Sequence, residues 1–220
     1  MINVRVFYTK TGRAKYISHL DIMRFMARAL KRSGLPVWYT EGFNRHIYTT
    51  FALPLSLGFE SLCEFMDFRL VCDEYDMEQV VSSLNGCLTS DIRALRAAEP
   101  VYKPDAIAWA DFTVLLRYKE EDPAAAAGAF TRFCEADAIL VEKKTKRGVG
   151  TVDIKPLFAP QDILVCDDAL QLDLRLVAGG KMNVNPNLLL EEFARQSSLE
   201  PESASVLRRR VLMEDLRDFE

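Results

Sequence analysis

No stretch of this chain approaches the roughly 18 to 20 consecutive apolar residues that a membrane-spanning helix requires. Its opening, MINVRVFYTKTG, also lacks the apolar core and cleavage site of a secretory leader. The expectation is a cytoplasmic protein with no membrane partner. Phosphate-binding and metal signatures are missing as well: there is no GxxxxGK[ST] loop, no GxGxxG turn, no HExxH, no CxxC and no CxxxCxxC run. Those gaps argue against nucleotide hydrolysis, dinucleotide binding, zinc chemistry and an iron–sulfur cluster, so neither a metal nor a cofactor is expected. Cysteine occurs at Cys63, Cys72, Cys87, Cys134 and Cys166. The odd number, wide spacing and apolar surroundings read as buried free thiols rather than disulfides or ligands. Histidine is confined to His19 and His46.

What is present is an ordinary globular composition, 49% apolar and 27% charged, which can bury a core and excludes general disorder. A length of 220 residues suits two domains of about 100 residues each. The overall charge of −4 conceals an asymmetry. Residues 1–48 hold nine Lys or Arg against Asp21 and Glu41, a surplus of about +7, which leaves the remainder near −11. A basic quarter on an acidic body points to a localised anionic ligand, because an unfocused acidic surface repels one.

Alternating polarity predicts a strand over residues 2–9. Ser18 then caps a helix that carries Asp21 in its first turn and Leu20, Met23, Ala27 and Leu30 at helical spacing, until Gly34 and Pro36 end it. A short strand over 37–40, a strand over 62–71, a helix over 73–88 and a strand over 92–101 complete a βαββαβ order. Past a connector at 100–105 come a strand over 111–119 and a helix over 123–136. A strand pair over 139–158 broken at Gly148 and Gly150 follows, then a strand over 169–177, a helix over 187–196 and a strand over 205–213. The element order repeats. The expected fold class is α+β, tandem duplicated ferredoxin-like (βαββαβ) units with antiparallel sheets, with an N-terminal domain over 1–104 and a C-terminal domain over 105–220. Such units host unrelated functions, so the site has to decide.

Three clusters are candidates. Arg24, Arg28 and Arg32 recur every four residues along one helix face, and Lys10, Arg13 and Lys15 sit in the loop before that helix, where the dipole favours an anion. A solvated helix face is the plain alternative. The segment EGFNRHIY places Phe43, Asn44, Arg45 and His46 in one loop, and Tyr16, Trp38, Tyr39 and Tyr48 offer further flat faces for stacking on bases, unless they are simply core. The third cluster is the ribbon 142–157, where Lys143, Lys144, Lys146, Arg147 and Lys155 face only two acids; a charged edge that blocks aggregation is its plain alternative. Phosphate contacts are thus expected from Lys10, Arg13, Lys15, Arg24, Arg28, Lys144, Lys146 and Arg147, with Tyr16, Phe43, Asn44 and His46 nearer the base or reacting group and Arg45 also among the nucleic-acid-binding residues. His19 and His46 are the only acid–base candidates, though a helix-start histidine commonly makes a structural hydrogen bond. The residues therefore point away from an enzyme without closing the question.

At KTGRAKYISHLDIMRFMARALKRSGLPVWYTEGFN, at LPLSLGFESLCEFMDFRL and, less strongly, at KTKRGVGTVDIKPL, the chain resembles the radical SAM-linked proteins. These form an uncharacterised bacterial family encoded beside, or fused to, radical S-adenosylmethionine proteins. Where that family usually reads GFNPHP, this chain has Gly42, Phe43, Asn44, Arg45, His46 and Ile47, keeping the histidine and losing both prolines. The resemblance implies service to a radical SAM enzyme, and without cluster cysteines this chain would be an accessory and not the radical generator. The leading expectation is an accessory module that presents transfer or ribosomal RNA to a radical SAM modification enzyme. A metal-independent endoribonuclease, similar in architecture to the CRISPR repeat-processing enzymes and using His19 or His46 as base, is a second reading. A protein–protein docking module for the radical SAM partner is a third.

Overall fold

The computed structural model describes the chain apart from residues 120–121, 146–147 and 181 and the side chains of 143–149. It divides into two compact units, Met1–Ala106 with Asp218–Glu220, and Ile107–Arg217. The protein is a mixed α+β structure of antiparallel sheets and, among the described residues, four α-helices. No described helix is long and apolar enough to cross a membrane.

The first unit runs β1 (Ile2–Lys10), α1 (His19–Arg32), β2 (Thr49–Thr50), β3 (Glu60–Leu70), α2 (Met77–Asn85) and β4 (Ile92–Ala98). β1 pairs antiparallel with both β4 and β3. β2 takes the other edge of β3, since Asp67 and Phe68 face Arg5 and Val4 on one side and Thr50 and Thr49 on the other. The order across the unit is therefore β4-β1-β3-β2. Alternation along β1 sends Val4, Val6 and Tyr8 into a core with Ile22, Met26 and Leu30 of α1 and Val80 and Leu84 of α2. The Ser18 hydroxyl accepts from the Asp21 N–H at 3.2 Å and donates to the Asp21 carboxylate at 2.7 Å, fixing where α1 starts. Gly34, with φ of +75°, turns the chain away from the helix end. The strand expected over 37–40 forms only single bridges, Val37 to Leu70 and Tyr39 to Ile47, because its residues pair in turn with two different partners. The helix expected from residue 73 begins at Met77, where Asp76 caps the Glu78 N–H at 2.9 Å.

The opposite face of β1 carries Arg5, which is 1% exposed. Its Nε and Nη2 donate to the two Asp67 carboxylate oxygens at 2.7 Å each, and its Nη1 donates to the main-chain oxygens of Tyr102 at 3.0 Å and Glu220 at 2.8 Å. The guanidinium lies 4.5 Å from the Phe219 ring centroid and 5.2 Å from that of Phe65. Residues 218–220 thereby belong to the first unit, and the boundary falls at Ala106, two residues past the expected one.

The second unit runs β5 (Ile107–Arg117), α3 (Pro123–Glu135), β6 (Leu140–Thr145), β7 (Gly148–Asp153), β8 (Phe158–Cys166), β9 (Ala169–Val177), α4 (Pro186–Ser197) and β10 (Ser203–Met213). Its sheet order is β10-β5-β9-β8, while β6 and β7 pair only with each other. The ribbon expected over 139–158 is that hairpin. β8 was not anticipated, because it is an edge strand whose side chains from Pro160 to Cys166 are mostly exposed and show no alternation. On one sheet face Leu170, Leu172, Leu174 and Leu176 are buried; Phe130, Phe133 and Phe193 of α3 and α4 form a cluster with centroids 5.1 to 5.9 Å apart. On the other face Arg175 holds Asp111 through two hydrogen bonds of 2.7 and 2.9 Å, and the Thr113 hydroxyl donates to Asp173 at 2.7 Å.

The cysteines are free thiols; four are part-buried, but Cys166 is exposed, which corrects the expectation of burial for that one. Burial pushes the Cys134 thiol up to about 11, outweighing the nearby Lys155 charge. Native alkylation is accordingly expected to label Cys166 first and Cys134 last, followed by mass spectrometry of the modified peptides. Replacing Asp67 by Asn removes the carboxylate that holds the Arg5 guanidinium through two hydrogen bonds, so denaturant titration should show a loss of about 3–5 kcal/mol.

Candidate functional site

Of the clusters singled out by sequence, the third belongs to the second unit, and the first two form two neighbourhoods of the first unit. One surrounds the start of α1. A 3-10 turn over Gly12–Tyr16 leads into it, held by the Gly12 N–H donating to Glu60 at 2.6 Å and the Arg13 N–H donating to Asp91 at 3.1 Å. The Lys15 carbonyl accepts from the Gly58 N–H at 2.8 Å and from the Lys10 ammonium at 3.4 Å. Lys10 is 2% exposed and Glu64 7%, so this cation, expected at the surface as a phosphate contact, lies inside the unit. Strand register explains it: Lys10 faces Ser61, itself fully buried, across β1 and β3.

His19 sits at this same place, half-buried, with its ring edge-on to Phe51 at 5.8 Å. Burial pulls its pKa below the ordinary 6.5; Glu64 opposes that shift and Lys10 adds to it. The imidazole is therefore neutral at pH 7. Asp21 is held below the usual carboxylate range by the Ser18 hydroxyl and then by Arg24. Outward from this cluster, Arg13 is almost wholly exposed, with Asp91 at 3.8 Å, and Tyr16 is exposed beside the Lys15 ammonium, 5.3 Å from its ring centroid. Arg24 is exposed and pairs with Asp21 at 3.1 Å; Arg28 is exposed with no ion pair among the described residues. Arg32 is turned to the Cys87 carbonyl at 3.0 Å.

The second neighbourhood is the loop between α1 and β2. At its base the Arg69 guanidinium lies 5.3 Å from the Trp38 centroid and 4.8 Å from that of Tyr48, while its Nε donates to Asn3 at 3.1 Å. Trp38 and Tyr48 are thus occupied by an internal cation. Above them the Thr40 N–H donates to the His46 carbonyl at 2.8 Å, and the His46 N–H donates to the Thr40 hydroxyl at 3.2 Å. His46 Nδ1 lies 2.9 Å from the Asn44 carbonyl, which can only accept. Nδ1 therefore acts as a donor to that carbonyl. Phe43, Asn44, Arg45 and His46 are all exposed, Phe43 to 110% of its reference. A benzyl group left in water forgoes roughly 1.5–3 kcal/mol of burial.

The two imidazoles have different partners among the described residues, His19 meeting Phe51, Lys10 and Glu64 and His46 meeting Thr40 and Asn44. Of the third cluster, Lys146, Arg147 and the side chains of Lys143 and Lys144 lie outside the described residues. Lys155 donates to the Cys134 carbonyl. The second unit holds an open cleft of about 650 Å³ between the β6–β7 hairpin and α4, lined by Leu140, Glu142, Leu188 and Glu191, where Arg195 is bonded to Glu192 at 2.6 Å. Among the described residues no group of three or more His, Cys, Asp or Glu is placed to hold a metal ion.

Residues 3–186 match the model of a family described as an uncharacterized protein conserved in bacteria, DUF2344. The chain belongs to that family. No curated protein matches it. The match takes in the whole α1 neighbourhood, the 38–48 loop, Arg5 and its partner Asp67, and the second unit as far as the first residue of α4.

Sequence reasoning missed Glu64 and Arg69. Each sits in the strand LCEFMDFRL among residues that read as plain alternation, and only the fold brings Glu64 opposite Tyr8 on β1 and Arg69 under the Trp38 and Tyr48 rings. The lowered pKa of His19 sets a pH dependence whose sign follows from linkage. The unfolded chain takes up a proton near 6.5 before the folded one does, so His19 costs stability as pH falls below that value and is silent above it. In urea titrations from pH 7.5 to 5, His19→Gln should gain on the wild type as pH falls; a difference that stays constant would contradict this.

Proposed function

We propose that this protein is an accessory RNA-binding module, acting in the cytoplasm with a radical SAM RNA-modification enzyme and taking transfer or ribosomal RNA as its ligand. The observation that carries the reading is the exposed tip of the 38–48 loop, where a fully exposed Phe43 stands next to Arg45, on the same unit as the exposed Arg13, Arg24 and Arg28. Cations position a phosphate backbone and bare aromatic faces stack on bases, the combination used against RNA and not against folded protein cores. The acidic remainder of the chain repels polyanions, which confines such binding to this region. The resemblance to radical SAM-linked proteins supplies the partner.

The fold reading that goes with it is a duplicated ferredoxin-like unit. Each unit presents the order βαββαβ with a strand order of β4-β1-β3-β2 type, β10-β5-β9-β8 in the second, where the β6–β7 hairpin is an insertion after α3. The central strand pair of each also carries a bidentate Arg–Asp pair with the residues exchanged, Arg5 with Asp67 and Asp111 with Arg175. A two-histidine nuclease draws no support from imidazoles in separate neighbourhoods, one of them half-buried.

Binding of the full chain to transcribed tRNA and ribosomal stem-loops, followed by fluorescence anisotropy, is expected to weaken about 500-fold between 50 and 200 mM salt, as about five phosphate contacts require. Changing Arg24 and Arg28 together to Ala should lower the salt slope by about 2. Absent or salt-insensitive binding sinks the RNA reading. Co-purification with a radical SAM enzyme that survives nuclease and high salt, without RNA affinity, replaces it with a docking role.

A further inference from the structure

The geometry points to the tip formed by Phe43, Asn44, Arg45 and His46 as a reader of a single unpaired nucleotide in a loop or bulge of structured RNA, with Phe43 as the stacking platform. This deepens the RNA-binding reading above and rests on it.

Three features of the tip favour an unstacked base over a duplex. The Phe43 ring is as exposed as a side chain can be, and an edge or face of that size finds a partner of equal shape in a free base; a paired and stacked base presents only its edge. Next, the side chains on either side of the ring are the ones that recognise the rest of a nucleotide. The Asn44 amide and the Arg45 guanidinium have no hydrogen-bond partner among the described residues, and the exposed His46 ring stands beside them in the same loop. An amide pairs donor and acceptor against a base edge, a guanidinium takes the phosphate, and an exposed imidazole hydrogen-bonds a 2′-hydroxyl or a base edge. Finally, the tip is organised before any ligand arrives. Gly42 adopts a φ of +105° with open space where a Cβ would be, so the turn is one that glycine permits without strain. The Thr40 and His46 bonds close the loop, and the Arg69 stack with Trp38 and Tyr48 ties its base to β3. Little ordering entropy is left to be lost on binding, which is what lets one ring and three polar groups contribute selectivity.

The test compares the full chain, by anisotropy at fixed salt, on an RNA stem-loop and on the fully paired duplex of the same stem. The wild type is expected to prefer the stem-loop by at least about 10-fold. Phe43→Ala should lose that preference and fall to the duplex affinity, and Phe43→Tyr should restore it. Phe43 touches no core, so all three proteins fold alike. Equal affinity for stem-loop and duplex, or an unchanged preference in Phe43→Ala, overturns this inference and leaves the RNA reading standing. No affinity for either RNA removes both.

Discussion

A buried guanidinium is the constraint on which the first unit is built. Arginine cannot shed its charge in a protein, so placing Arg5 at 1% exposure obliges the fold to supply an anion and acceptors for the remaining donors. Asp67 supplies the anion, but the two carbonyls come from Tyr102 and Glu220, and the covering ring from Phe219. Three consequences follow from one side chain. β1 and β3 are locked in register, because a slip of one residue would turn Arg5 into the helix-covered core. The connector after β4 is held by Tyr102. The last residues of the chain return to the first unit, with the Tyr102 N–H also bonded to Glu220 at 3.2 Å.

The same constraint redistributes charge. The surplus of about +7 over residues 1–48 reads as a basic surface, yet Arg5 and Lys10 are interior, Arg24 is shared with Asp21, and Arg13 has Asp91 nearby. What remains for a ligand is narrower than the count: the exposed Arg13, Arg24, Arg28 and Arg45, with the exposed rings of Tyr16 and Phe43, while the rest of the chain carries the opposite sign. Burial, with Lys10 beneath, lowers the pKa of His19 against the opposing pull of Glu64.

Most of the helices and the strands with clear alternation were legible in the sequence. The α1 cap at Ser18, the proline starts of α3 and α4, and the leucines of β9 are local signals, each sufficient by itself. The failures share a cause. β8 is an edge strand without a patterned face, the 37–40 segment divides its pairing between two partners, and Lys10 is buried by register with β3 some fifty residues away. None of these is written in a window of neighbouring residues. The candidate site was half legible for the same reason: the exposed tip lies within one contiguous segment, Gly42 to His46, whereas the Arg69 clamp beneath it comes from β3.

That clamp bears on the departure of the loop from the GFNPHP pattern. Proline stiffens a loop by fixing φ, and the chain has Arg45 and Ile47 where both prolines would stand. Stiffness is instead provided by hydrogen bonds among Thr40, Asn44 and His46 and by a cation held between two indole and phenol rings. Ile47 is buried and bridges to Tyr39, the flanking Thr40 and Tyr48 N–H groups donating to the His46 and Trp38 carbonyls. Arg45, at the other vacated position, puts a charge at the tip. The exchange moves rigidity from the covalent backbone to the packing beneath it, and frees one position at the outermost point of the loop for a side chain that can meet an anion.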